Sequence, residues 1–163
     1  MNDFEQRLQK AIERGQQRGQ QRAAEARQQQ LGEEELKRLH SQYRLMLSEY
    51  IETCMKRLPA HFPGFQSETM FGERGWGAAC SRDDLRIRDG RRQNDYSRLE
   101  LTIRPQSSYN VIDLAGKGTI RNKEVFSRNH FEKVENVDVD TFKQLIDVWI
   151  LEFAELYSAS GRD

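Results

Sequence analysis

The sequence predicts an α+β fold in which an amphipathic helix enters, a three- to four-stranded antiparallel meander follows, and a C-terminal helix packs on the sheet. Three observations predict it. Apolar residues recur at intervals of three or four over residues 36–58 and again over 142–157, and strict alternation separates these two stretches.

Residues 1–32 come first and are polar: Gln/Arg-rich, with the tetrapeptide Gly15-Gln16-Gln17-Arg18 repeated as Gly19-Gln20-Gln21-Arg22. Phe4, Leu8 and Ile12 recur every four positions, so a helix starts here. Gly15 and Gly19 then each cost about 1 kcal/mol relative to alanine. The expectation is a helical extension that is marginal alone, with a disordered tail as its rival. Arg14, Arg18 and Arg22 share one face of it.

Residues 33–160 are expected to form a single α+β domain. Leu36, Leu39, Tyr43, Leu47, Tyr50, Cys54 and Leu58 make the apolar stripe of its first helix, widened by Leu45, Met46, Ile51 and Met55, until Pro59 and Pro63 end it. Leu85-Arg86-Ile87-Arg88 and Leu99-Glu100-Leu101-Thr102-Ile103-Arg104 alternate as half-buried strands, and Asp89-Gly90 signals a turn. Residues 109–115 and 119–126 read as two more strands joined by a Gly116-Lys117-Gly118 turn. Connections this short favour antiparallel pairing. Asp138 or Asp140 caps the last helix, which is apolar over most of its circumference through Phe142, Leu145, Ile146, Val148, Trp149, Ile150, Leu151, Phe153, Leu156 and Tyr157. Such a helix is covered on two sides or meets a partner.

Composition narrows the function. The chain has 163 residues, 26 basic and 26 acidic, so the strong basic excess of a dedicated nucleic-acid binder is missing. The charges are unevenly spread: +2 over residues 1–66, +3 over 67–130 and −5 over 131–163. No apolar run is long enough to cross a membrane, and the charged N-terminus lacks a secretory leader's apolar segment. With only two cysteines, Cys54 and Cys80, a cytoplasmic setting is expected.

The chemistry-bearing residues form no known motif, and no family resemblance is recognised. His40, His61 and His130 with the two cysteines lack metal-ligand spacing, so no metal and no cofactor is expected. Cys80 would need His61 or His130 beside it to act as a nucleophile. Gly72-Glu73-Arg74-Gly75-Trp76-Gly77 and Gly116-Lys117-Gly118-Thr119 lack the order and the strand–helix context of phosphate loops. Enzymatic function is therefore not the leading expectation.

The leading expectation is a non-catalytic protein-interaction or assembly module, self-associating or bound to a protein partner through Trp149, Phe153 and Leu156, with the glycine-flanked Trp76 as a further anchor. The alternative is an RNA- or DNA-binding module. If Leu85, Ile87, Leu99, Leu101 and Ile103 face the core, then Arg86, Arg88, Arg98 and Arg104 share the outer face, with Arg121 joining from the last strand. Cross-strand Arg–Glu pairs on a solvated face explain the same residues without a ligand. A small-molecule enzyme or ligand-binding domain is the weaker alternative.

Overall fold

The computed structural model describes residues 2–161, apart from the side chains of Gln30 and Leu31. Helix α1 runs unbroken over Asp3–Met55. Its first free amides are met by the Asn2 side chain, whose Oδ1 accepts from the Glu5 N–H. It passes through Gly32 without a break, and the chain divides into two compact units between Arg38 and Leu39. In the first unit every described side chain from Asn2 to Glu35 is exposed, Phe4, Leu8 and Ile12 among them.

In the second unit the end of α1 presents Leu47, Ile51 and Met55 to the core at intervals of one turn, all fully buried. Leu45 and Met46 stay exposed, so the stripe is narrower than expected. His40 is buried as well, and among the described residues its Nε2 has no hydrogen-bond partner. Burial, and then the nearby Arg44 cation, hold its imidazole below the ordinary histidine value. The unfolded chain, with a histidine near 6.5, binds the extra proton. The stability from a neutral His40 is complete above about pH 6.5 and is lost as the pH falls below it. Thermal melts from pH 7.5 down to 5.5 should therefore show a falling midpoint, and His40→Met should remove that part of the slope. Equal slopes in the two proteins would contradict this assignment.

A short helix α2 (Leu58–His61), with Pro59 in its first turn, leads into the sheet. The sheet has five strands, one or two more than expected: β1 (Gln66–Met70), β2 (Trp76–Arg88), β3 (Arg91–Ile103), β4 (Val111–Ile120) and β5 (Lys123–Lys133). They pair in sequence order and all antiparallel. Helix α3 (Val139–Ala159) follows, its N-terminus capped by the Asp138 carboxylate, which accepts from the Asp140 N–H at 3.1 Å.

Glycine placement decides how α3 sits. Gly116 and Gly118 are not a turn; they lie within β4, whose register with β5 runs straight through them apart from a bulge at Gly118/Thr119. A Cβ at Gly116 would stand 2.7 Å from the Trp149 ring, and one at Gly118 would stand 2.9 Å from Phe126 and 3.2 Å from Phe153. The missing side chains let α3 approach the sheet closely. The turn lies after β4 at Arg121-Asn122, both with positive φ (49° and 71°).

Register also corrects the expected faces. Cys80 pairs with Leu99, and Ala78 with Leu101, so the even residues of β2 share the helix side with the odd residues of β3. Leu85 and Ile87 therefore lie on the opposite face, 64% and 76% exposed, while Leu99, Leu101 and Ile103 are fully buried as expected. Alternation is identical for either face. Pairing across the sheet sets which one is covered.

Candidate functional site

The apolar circumference of α3 splits three ways. Phe142, Ile146, Trp149, Ile150 and Phe153 are buried. Trp149 sits over Gly116, and Phe153 meets Phe65 edge-on at 6.3 Å between ring centroids. Neither is free to meet a partner. Leu156 is partly exposed (38%), and the outward turns instead present Val148 and Leu151 at 54% and 65%. Trp76 is half-buried, with the Arg44 guanidinium 3.9 Å from its ring centroid. The four residues expected to meet a partner are thus not one surface.

Leu151 opens onto a groove of about 520 Å³ between the end of α1, α2 and α3. Leu58, Phe62, Ile150, Leu151 and Ala154 form its apolar walls, and Cys54, Arg57, His61 and Asp147 bring polar groups to it. Behind it the Tyr50 hydroxyl donates to Asp147 Oδ1 at 2.6 Å, joining α1 to α3 across 97 residues of sequence. Lys143 Nζ lies 5.2 Å from the centroid of the Tyr50 ring. The bond to Asp147, and secondarily burial, hold the Tyr50 hydroxyl well above its ordinary pKa. Burial also raises the Cys54 thiol. Both groups stay protonated at neutral pH, so the groove holds no thiolate nucleophile. Its physical character is an apolar trough with a hydrogen-bonded floor.

Cys80 is fully buried in β2, and burial pushes its thiol up to about 11. His130 lies on β5, three strands away, with Nε2 2.8 Å from Glu132 Oε2. At ~4.8 Å per strand that is about 14 Å. His61 lies on α2, at the groove. The structure therefore does not bring Cys80 and His130 together as nucleophile and base. Among the described residues no group of three or more His, Cys, Asp or Glu side chains is placed to hold a metal ion. No described helix is long and apolar enough to cross a membrane.

The arginines fall into separate places. Arg86 lies on the helix-side register and pairs with Asp95 at 3.1 Å. Arg88 shares that register at the hairpin end. Arg98 lies on the opposite face between Glu68 (2.8 Å) and Glu100 (3.2 Å), and Arg104 stands 3.7 Å from Asp113. Arg121 is in the β4–β5 turn, where its guanidinium reaches Ser160 Oγ at 3.3 Å and the Gly161 carbonyl at the end of α3. The sheet face that was to bear all five bears two, both ion-paired.

Sequence reading passed over Asp147, Arg91 and Arg92. The signal for Asp147 is present: it is the one polar residue of the otherwise apolar run from Leu145 to Leu151. The exposed Phe131 (61%) and Tyr109 (81%), beside Arg104 at the end of the sheet, carried no such signal. Compared with known protein families, curated proteins and solved structures, the chain matches none.

Proposed function

We propose that this chain is a non-catalytic protein-interaction and assembly module that associates with copies of itself, in a reducing, cytoplasmic setting. One observation carries the reading: Val148 and Leu151 stand exposed beside the apolar groove lined by Leu58, Ile150 and Ala154. Contiguous apolar surface of this kind, rimmed by Arg57, His61 and Asp147, is what a docking helix covers. The exposed row Phe4, Leu8 and Ile12 supports the same reading, since a lone helix bearing Gly15 and Gly19 gains its stability from something packed on it. Two unpaired cysteines, Cys54 and Cys80, are compatible with the setting.

The test is a variant that touches the surface but not the core. Val148→Asp with Leu151→Asp should bring the mass measured by light scattering down to the single-chain 19.2 kDa. Exposed surface substitutions stay within about 0.5 kcal/mol in stability, so the melting midpoint should hold. An assembly whose mass is unchanged by both charges would refute the docking surface.

A further inference from the structure

Strands β2 and β3 outrun their neighbours. β1 pairs with β2 only as far as Ser81, and β4 with β3 only as far as Arg98. The β2–β3 ladder continues to Arg88↔Arg91. The β4–β5 turn braces part of this overhang: the Asn122 side chain accepts from the Tyr96 N–H and donates to the Asn94 carbonyl. From Leu85 to Asn94 the hairpin is a two-stranded arm closed by Asp89-Gly90, with φ of 52° and 75°. At ~3.3 Å per residue its two four-residue strands reach about 13 Å.

The arm's charge is unlike the rest of the sheet. Residues 85–94 hold Arg86, Arg88, Arg91 and Arg92 against the single acid Asp89. Arg82, Arg86, Arg98, Arg104 and Arg128 each pair with a carboxylate. Among the described residues Arg88, Arg91 and Arg92 have no ion-pair partner. Arg88 and Arg91 are direct cross-strand neighbours, an arrangement that opposes hairpin formation. An isolated two-stranded hairpin is already marginal in water. Arg86, Arg88 and Arg91 share one face, while Arg92 shares the other with the exposed Leu85 and Ile87.

We propose that this arm binds duplex DNA by entering the major groove. That groove is roughly 12 Å wide and 8.5 Å deep and admits a two-stranded ribbon. The arm is long enough to reach its floor. Cations on both faces meet the phosphates on both walls, which a single flat acidic protein surface could not offer. The inference concerns a surface separate from the α3 groove and stands or falls independently of it.

The test is fluorescence anisotropy of the full chain with a labelled 20-base-pair DNA duplex at rising NaCl. Three phosphate contacts, from Arg88, Arg91 and Arg92, give a log–log slope of about −2.7, so affinity should drop about fortyfold between 50 and 200 mM salt. Replacing Arg88, Arg91 and Arg92 together by glutamine should remove nearly all of that slope and leave the melting midpoint unchanged. A Lys117→Gln, Arg104→Gln variant on the open sheet face should bind like the wild type. Absence of binding at 50 mM salt would overturn the proposal, as would a slope unmoved by the triple variant. So would equal affinity for the same sequence as double-stranded RNA, whose major groove is too narrow for the arm.

Discussion

Phe153→Ala should lower the unfolding free energy by about 3–5 kcal/mol, the range for removing a buried aromatic ring. Phe153 is fully buried, edge-on to Phe65 and stacked 6.2 Å from Tyr157, and its ring packs with that of Phe126 against the bare backbone of Gly118. Strand β4 cannot collapse into the cavity without breaking its ladders to β3 and β5. At roughly 2–8 °C per kcal/mol for domains of this size range, calorimetry should show the midpoint falling by about 10 °C or more. A shift of only a degree or two would mean that α3 does not pack as described. The contrast with Leu151, two residues earlier and exposed, is the substance of the functional reading: one side of α3 stabilises the fold and the other is left for association.

Gly77→Ala is the second large effect, because nothing flexible surrounds the site. An added Cβ would stand 2.0 Å from the Leu101 carbonyl oxygen and 2.9 Å from Thr102 Cα, both backbone atoms of the neighbouring strand. Relief requires the β2–β3 ladder to shift, in the stretch that pairs with β1 on one side and β4 on the other. Overpacking costs about 1–3 kcal/mol where side chains can adjust and more where they cannot, so a loss of about 3 kcal/mol is expected in urea titrations. Gly15→Ala is the matching control, since its Cβ would meet nothing within 4 Å. It should be neutral or slightly stabilising. A Gly77→Ala protein as stable as the wild type would contradict the close approach of β2 to β3.

What the sequence made legible followed from period. The helix stripe Leu47, Ile51, Met55 and the strand Leu99, Leu101, Ile103 were read correctly because their burial repeats at the spacing of their own element. What escaped was set by other strands. Leu85 and Ile87 alternate just as Leu99 and Leu101 do, and only the pairing of Cys80 with Leu99 assigns them the other face. Gly116 and Gly118 look like a turn, whereas their reason is the Trp149 indole over one and the Phe126 and Phe153 rings over the other. The groove was hidden for the same reason: Tyr50 and Asp147 have no sequence relation, and Trp149 and Phe153 announce apolar surface without telling which side of α3 is covered.

The measurement that bears most directly on the account is sedimentation velocity of the intact chain over a hundredfold range of concentration. The assembly reading predicts a mass that climbs above the single-chain 19.2 kDa as concentration rises. A sedimenting species that stays at that mass across the whole range would contradict it.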